Sequence, residues 1–328
     1  GRDDARRRPD CREGSSGIRS GWGNPAGAPG VPGPRGRVAR RSTPAAGGFP
    51  GDLTAFGYGD SRNNIEGRDN RKMAQESVKA ILEIWNDPEP GIRKNEFWEY
   101  TIPEPDPDIS LNVHVKPYQL PHPPIGVAGV SESSKTISLA GEKGWIPLSI
   151  NLVPTRILKT HWKAVEEGAE KGKKIPDRST WRIARDIFVA DTKEEAFSES
   201  ISGVLSRDFY GYIHPLLDKT NMFSAAKIDE NISNDEVNAE YMINNIWLVG
   251  DPQSVADKIV KIYKEVGGFG FLLAMAHDWD PWDKWENSFK LLKNEVLPIV
   301  EKEISDFYWS VQGRVCPRRA VSDLVNSD

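Results

Sequence analysis

The sequence has little cysteine and lacks any long apolar run. Its 328 residues include two cysteines, Cys11 and Cys316, which lie near opposite ends of the chain. Two cysteines so placed form neither a disulfide framework nor a metal-ligand spacing, so a reducing cytoplasm is the expected compartment. No secretory signal core and no apolar run of about 18 residues is present, which argues against export and against membrane spanning.

Familiar catalytic signatures are also missing. The sequence contains no Gly-rich dinucleotide fingerprint, no P-loop, no G-x-S-x-G nucleophile elbow and no H-E-x-x-H zinc motif. Each of these motifs positions a phosphate, a nucleophile or a metal by a fixed local spacing. The sequence therefore does not indicate the commonest sites of these three kinds. No second histidine lies at ligand spacing from His277, and no metal is expected.

The first 50 residues differ in composition from the rest. They contain ten arginines, no lysine, 11 of the 29 glycines and 7 of the 24 prolines, and carry about +6 against −5 for the whole chain. Without apolar periodicity they cannot bury enough surface to offset the entropy of ordering. Residues 1–37 have one aromatic residue, Trp22, and are not expected to bind nucleic acid. We therefore divide the chain into a disordered or unrelated segment (1–46), an ordered domain (47–305) and an unstructured tail (306–328).

Apolar patterns beyond residue 51 predict alternating strands and helices. Short buried runs predict strands at 123–130, 145–150, 181–190 and 269–276. Amphipathic stretches predict helices at 68–85, 154–172, 191–213, 252–266 and 284–304. A further helix is predicted from the Ser-rich segment 131–136 to about Gly144. Residues 218–245 are polar and weakly periodic, as expected of a long excursion. This alternation predicts an α/β fold with a parallel sheet covered by helices.

Three places follow the carboxyl ends of predicted strands, where parallel α/β folds bind their ligands. They are Ser131–Thr136 after the first of these strands, Asn151 after the second and His277–Trp279 after the fourth. By contrast, His161 and His214 lie inside predicted helices and carry no functional signal. The three strand ends are therefore the candidate functional sites.

The Ser-rich helix start has two interpretations. Ser131 could cap the helix while the other hydroxyls face water. Alternatively, the free N–H groups of the first turn and the hydroxyls of Ser133, Ser134 and Thr136 could bind an anion such as phosphate. Glu132 suits the positive end of the helix dipole, yet it would repel a phosphate unless it binds another group. The local residues leave both interpretations open.

His277 ends an apolar strand and is followed by Asp278 and Asp280. A histidine beside these carboxylates could transfer protons or form a weak metal site. The alternative is a loop histidine next to the tryptophan cluster in 279–285, whose rings could wall an apolar pocket or pack in the core. Both interpretations of His277 stay open at this point.

Four stretches of the chain, in this order, resemble the bacterial luciferase-like flavin monooxygenases, and most of all the limonene monooxygenase-like group. They are KPYQLPHPPIGVAGVSESSKTISLAGEKGWIPLSINL, WRIARDIFVADTKEEA, IWLVGDPQSVADKIVKIYKEVGGFGFLLAMAHDW and LLKNEVLPIV. The resemblance covers about residues 47–303. It implies a (β/α)8 TIM barrel that binds reduced FMN at the carboxyl ends of its strands.

The resemblance also implies site residues. Glu132, Ser133 and Thr136 match the Glu-Ser-x-x-Thr phosphate site of the family, which makes the anion interpretation of the helix start the preferred one. Asn151 matches a strand-end position beside the flavin ring. His277 matches the end of the last strand, near the pocket mouth, where it is the candidate catalytic residue for proton transfer.

A further part of the family's phosphate site is matched more loosely. The stretch GGFPGDLTAFGYG (47–59) resembles the Gly-rich turn after the fourth strand. The fitting residues are Gly47, Gly48, Asp52, Phe56 and Gly57. An arginine of the following helix often approaches the phosphate in this family, and Arg71 is the best match, with Arg68 second.

The activity implied by the resemblance is a flavin-dependent monooxygenase reaction. Reduced FMN and O2 would transfer oxygen to a small apolar organic substrate, and a separate flavin reductase could supply the reduced flavin. A homo-oligomer is expected. The alternatives are a deazaflavin-dependent oxidoreductase, which shares the fold, and a flavin-binding or subunit-like protein without catalysis.

The chain also departs from the family. Members of the family have an ordered segment before the Gly-rich turn that supplies the first three strands, and the proposed catalytic histidine of an early strand has no counterpart here. We therefore expect an incomplete barrel of four to five strand–helix units, with ends that are unrelated to the family. Open sheet edges and an uncovered core would favour low solubility or association.

Overall fold

The computed structural model describes residues 68–86, 89–111 and 117–312, which form strands and helices largely in alternation. The strands are β1 Gly91–Lys94, β2 Glu99–Ile102, β3 Gly126–Gly129, β4 Ile146–Ser149, β5 Arg182–Arg185, β6 Ile187–Val189, β7 Leu248–Gly250 and β8 Phe271–Ala274. The α-helices are α1 Arg68–Trp85, α2 Lys135–Lys143, α3 Thr155–Gly172, α4 Lys193–Ser202, α5 Val204–Asp208, α6 His214–Thr220, α7 Ala239–Asn245, α8 Pro252–Val266, α9 Trp282–Leu291 and α10 Leu297–Gln312.

A parallel sheet occupies the centre of this region. Its four strands lie in the order β3-β4-β5-β8, and every neighbouring pair is parallel. Strand β6 follows β5 after a single residue and pairs in parallel with β7, while β1 and β2 form a separate antiparallel hairpin. Five strand–helix units therefore follow one another between residues 126 and 291, in agreement with the four to five that the sequence predicts.

Helix α8 forms as its sequence predicts. The Asp251 side chain caps it by accepting a hydrogen bond from the N–H of Ser254 at 2.8 Å, and Pro252 stands in its first turn. Gly267 ends the helix in a left-handed conformation with φ of 78°. Local capping rules suffice here because each of these contacts lies within four residues along the chain.

The start of helix α2 differs from the simple capping interpretation. Ser134, not Ser131, is the cap, and its Oγ accepts a hydrogen bond from the N–H of Ile137 at 3.4 Å. Ser133 lies in the left-handed region with φ of 49°, which turns the chain from the strand into the helix. Pro154 likewise precedes helix α3 as its cap instead of opening it.

The strand predicted at 181–190 is two strands separated by Asp186. The first half pairs with β4 and β8, whereas the second half pairs with β7, a strand that the sequence did not predict. Strand β7 has three residues, all buried, so it offers no alternation for a sequence pattern to reveal. The change of partner at Asp186 is a property of the sheet and is invisible in the local sequence.

The helix predicted at 191–213 is broken. Thr192 caps α4, but the helix stops at Gly203 and resumes as α5. A π-helical turn, Phe209–Ile213, then joins α5 to α6. Such π-turns are frequent at functional sites. The excursion predicted at 218–245 contains the end of α6 and all of α7.

Helices α2 and α3 pack with their backbones almost in contact. A Cβ atom on Gly141 would lie 2.1 Å from the carbonyl oxygen of Val165, and one on Gly168 would lie 1.8 Å from that of Ser138. No side chain fits at either position, so glycine is required for this approach. The packing brings the loop before α2 against residues 160 and 161 of α3.

The two faces of the parallel sheet differ in burial. On the helix-covered face, Val127 and Ser149 are buried, and they adjoin the larger apolar core formed with α3, α7 and the β6 region. On the other face, Ala128 and Phe271 are exposed within the described part of the chain. None of the helices described is both long and apolar enough to cross a membrane.

Candidate functional site

The Ser-rich turn between β3 and α2 presents several unused hydrogen-bond donors. The Ser133 N–H donates to Thr160 Oγ1 at 3.0 Å, but the hydroxyls of Ser133 and Thr136 have no partner among the described residues. The N–H groups of Lys135 and Thr136 also lack an acceptor in this part of the chain. These donors lie at the positive end of the helix dipole, so the turn can bind an anion.

Glu132 is paired with an arginine. Arg156 Nη1 lies 3.3 Å from Glu132 Oε2, and the same guanidinium donates to the carbonyl oxygens of Ser224 at 3.0 Å and Lys227 at 2.8 Å. The pairing neutralises the carboxylate that would otherwise repel a phosphate at this turn. Glu132 therefore binds another group, as the sequence analysis required, and that group lies 24 residues further along the chain.

A second group of polar side chains lies at the ends of β4, β5 and β8. Asp186 accepts a hydrogen bond from Asn151 Nδ2 at 2.7 Å and another from His277 Nε2 at 2.8 Å. His277 Nδ1 donates to Asp208 at 2.9 Å. Because a carboxylate only accepts hydrogen bonds, both ring nitrogens of His277 carry protons, and the ring is an imidazolium.

The pKa values agree with this protonation. Burial alone would lower the pKa of His277, but the hydrogen bonds to Asp186 and Asp208 outweigh it and raise the pKa above its ordinary value. Burial would raise the pKa of Asp208, yet the hydrogen bonds from His277 and Arg207 lower it. Each charge stabilises the opposite charge beside it.

Arginines on either side balance the two carboxylates. Arg207 Nη2 lies 3.1 Å from Asp208 Oδ1 and 2.7 Å from Asp278 Oδ2 at the solvent edge. Arg185 is fully buried beside Asp186, and its Nη2 donates to the carbonyl of Val153 at 3.0 Å. Burial lowers the pKa of Arg185 to about 10, so it stays charged at neutral pH.

A cavity of about 550 Å³ opens beside His277. Its lining is mostly apolar, with the Asp186–His277–Asp208 group as its polar wall. The apolar and aromatic lining residues are Leu152, Leu205, Phe209, Tyr212, Ile213, Met242, Trp247 and Met275. A largely apolar cavity with a few convergent charged groups is the usual form of a small-molecule site.

The structure places the predicted site residues in two groups. Asn151 and His277 line one cavity and share Asp186, whereas Glu132, Ser133 and Thr136 lie together at the start of α2 and are not part of its lining. The arginine candidates, Arg71 and Arg68, belong to helix α1, but their side chains lie outside the described part of the structure. The Gly-rich turn at 47–59 lies outside the described residues as well.

The carboxylates that His277 contacts are not its neighbours in the sequence. They are Asp186 and Asp208, whereas Asp278 pairs with Arg207. Its ring centroid does lie 5.9 Å from that of Trp285, so the tryptophan contact and the polar contacts coexist. The residues that were missed are Asp186 and Asp208. The single carboxylate of the predicted strand 181–190, between Arg185 and an apolar run, was the available signal for Asp186.

The family model of the luciferase-like monooxygenases matches residues 45–268. The chain belongs to this family, and its α/β fold is that of the luciferase-like TIM barrels. The family and the fold class that the sequence predicts are therefore confirmed.

Relatives within the family are monooxygenases of diketocamphane and of limonene. The 3,6-diketocamphane 1,6-monooxygenase of Pseudomonas putida is 31% identical over 235 residues, which are 70% of this chain and 61% of the relative. The limonene 1,2-monooxygenase of Rhodococcus erythropolis is 28% identical over 218 residues, 66% of this chain and 53% of the relative. The chain thus spans about three fifths of the length of the relatives it matches.

A solved structure supports the same relationship. The oxygenating constituent of 3,6-diketocamphane monooxygenase from Pseudomonas putida, a type II Baeyer-Villiger monooxygenase in complex with FMN, has a TM-score of 0.66 and 30% identity. The match covers 78% of this chain and 69% of that one. The monooxygenase RslO1 from Streptomyces bottropensis shares the fold, with a TM-score of 0.50 and 18% identity.

Proposed function

We propose that this chain is the flavin-binding part of an FMN-dependent monooxygenase that transfers oxygen from O2 to a small apolar organic substrate. Family membership and the likeness to an oxygenating component solved with FMN support the proposal. The chain spans about three fifths of its relatives' length, and we propose the monooxygenase activity for it on the grounds given above.

The observation that carries the proposal is the set of free donors at the start of α2. Two hydroxyls, on Ser133 and Thr136, and the first-turn N–H groups of Lys135 and Thr136 have no partner among the described residues, and the neighbouring Glu132 is paired with Arg156. These residues fit the phosphate of FMN. Arg71 is proposed as an additional contact to the same phosphate.

The cavity beside His277 would hold the flavin ring and the substrate. Bound reduced FMN would supply the electrons that activate O2. Asn151 would orient the ring, the apolar walls would exclude water, and the His277 imidazolium would hold a proton at Nε2 and Nδ1 near the reacting atoms. Asp186 keeps Asn151 and His277 in a fixed relation because it binds both.

A flavin titration tests this proposal. We expect the Ser133→Ala/Thr136→Ala double variant to bind FMN more than about tenfold more weakly than the wild type, since each lost hydrogen bond to a charged group is worth about 1.5–3 kcal/mol. Ser138→Ala, on the same helix but beyond the first turn, is the matched control and should bind normally. Equal FMN affinity of the double variant and the control would refute the phosphate site.

The same titration separates the alternative functions. Tighter binding of deazaflavin than of FMN would favour hydride-transfer chemistry, and flavin binding without oxygen-dependent substrate turnover would favour a non-catalytic role. The solved relative is an oxygenating constituent, and we propose by analogy that a separate reductase supplies reduced flavin here. Turnover that depends on an added flavin reductase and NADH is the expected result.

A further inference from the structure

A buried chain of hydrogen bonds leads from the core to the Ser-rich turn. Trp181 Nε1 donates to Ser149 Oγ at 3.0 Å, Ser149 Oγ lies 2.8 Å from His161 Nδ1, and His161 Nε2 lies 2.9 Å from the carbonyl oxygen of Ser131. Trp181, Ser149 and His161 have no exposed surface. These direct hydrogen bonds therefore connect the sheet to the Ser-rich turn.

Two observations assign the protons of these hydrogen bonds. The carbonyl of Ser131 only accepts, so His161 Nε2 carries a proton. Burial lowers the pKa of His161, with partial compensation from the Ser131 hydrogen bond, which favours the neutral ring. In the neutral ring Nδ1 is an acceptor, so the Ser149 hydroxyl donates to it while accepting from the Trp181 indole. A neutral ring with a fixed tautomer holds its acceptor in one direction.

The residue next to His161 holds the same turn at a second point. Thr160 Oγ1 accepts from the Ser133 N–H at 3.0 Å and donates to the carbonyl of Ile157 at 2.8 Å. Between these two contacts Ser133 keeps the left-handed conformation, φ 49°, which is unfavourable for a residue with a side chain. Two adjacent residues of α3 thus hold the turn in a shape that it would not keep alone.

We propose that His161 is a positioning residue for the flavin phosphate. By fixing the carbonyl of Ser131, it keeps the Ser133 hydroxyl, the Thr136 hydroxyl and the first N–H groups of α2 directed at one anion. His161 is fully buried, so it would contact neither the phosphate nor the ring. This inference rests on the proposed function, because it concerns the same phosphate site.

Comparison of FMN with riboflavin isolates this role, because the two molecules differ by the phosphate alone. We expect the wild-type chain to bind FMN at least about tenfold more tightly than riboflavin, and His161→Phe to lower this ratio by about tenfold while riboflavin affinity stays unchanged. Phenylalanine fills the ring volume but makes neither hydrogen bond. His161→Gln, which retains a donor toward Ser131, should restore part of the ratio.

Further variants keep the test decisive if His161→Phe does not fold. Thr160→Val removes the second contact with almost no change in volume, and it should lower the FMN-to-riboflavin ratio in the same direction. Lys163→Ala, at an exposed position of the same helix, is the matched control and should leave the ratio unchanged. Circular dichroism and thermal unfolding of each variant report any general loss of structure.

The outcomes distinguish this inference from the proposed function. A wild-type chain without preference for FMN over riboflavin would overturn the phosphate site, and this inference with it. A wild-type preference that persists undiminished in folded His161→Phe, or undiminished in both Thr160→Val and His161→Gln if the former does not fold, would overturn this inference alone. The same holds if both flavins lose affinity equally, because His161 would then act only on the fold.

Discussion

His277 lies between two carboxylates that are distant in sequence. Asp186 and Asp208 are separated from it by 91 and 69 residues, respectively. The two carboxylates keep the His277 ring charged although the ring is buried, because each ring nitrogen donates to one of them. A charged ring in the polar wall of an apolar cavity makes His277 the residue through which pH acts on this site.

The charge of His277 has a consequence for stability. Because its pKa is raised in the folded chain, its contribution is complete below the ordinary value of 6.5 and is lost as pH rises through the folded value. We expect the free energy of unfolding, from urea titrations between about pH 5.5 and 8.5, to fall more steeply with pH for the wild type than for His277→Gln.

The matched control for this experiment is His122→Gln. Among the described residues, the His122 ring contacts a backbone carbonyl, that of Pro123, and no carboxylate. This variant should keep the wild-type pH dependence. An identical slope for wild type and His277→Gln would contradict the charged-ring assignment.

At the scale of secondary structure, the contact between α2 and α3 decides where the Ser-rich turn lies. Gly141 and Gly168 allow the two backbones to meet, and this contact brings Thr160 and His161 within hydrogen-bond distance of Ser133 and Ser131. The geometry of the proposed anion site therefore depends on two glycines that would not contact the anion.

Substitution of one of these glycines should separate the helices. In Gly168→Ala the new Cβ would lie 1.8 Å from the Ser138 carbonyl oxygen, so the backbones must move apart, at a cost of about 2 kcal/mol. We expect a lower Tm and weaker FMN binding, measured by thermal unfolding and fluorescence titration.

Gly211→Ala is the control for this prediction. A Cβ at Gly211 meets nothing within 4 Å among the described residues, so the substitution should stabilise its helical turn by about 0.5 kcal/mol. If Gly168→Ala were as stable as Gly211→Ala, close packing of α2 and α3 would not be required.

At the scale of the whole molecule, the face of the sheet opposite the helices is the notable surface. Phe271 is 48% exposed and Met275 37% exposed, and β3 and β8 are the outer strands of the sheet within the described part of the chain. Exposed apolar side chains on a sheet with unpaired outer strands favour association.

We therefore expect the chain to self-associate. Sedimentation velocity at micromolar concentrations should show dimers or larger species, and Phe271→Glu should shift the distribution toward monomer, because it places a charge on the exposed face beside Arg182. Tyr118→Glu, in an exposed loop, should leave the distribution unchanged. A monodisperse wild-type monomer with one cooperative melting transition would contradict this expectation.

The sequence by itself determined the strongly patterned elements and predicted the strand ends as candidate sites. Helix α8, with its cap at Asp251 and its end at Gly267, follows from contacts within a few residues. Alternation of buried runs with amphipathic stretches was enough to predict a parallel α/β fold, and the strand ends pointed to Ser131–Thr136, Asn151 and His277.

The tertiary structure decided which side chains meet. Arg156 pairs with Glu132, Asp186 joins Asn151 to His277, and His161, which lacked any functional signal in the sequence, reaches the Ser131 carbonyl. The physical reason is that periodicity and capping act over a few residues, whereas these partners depend on strand order and on how closely two helices pack. Local sequence carries the first kind of information and not the second.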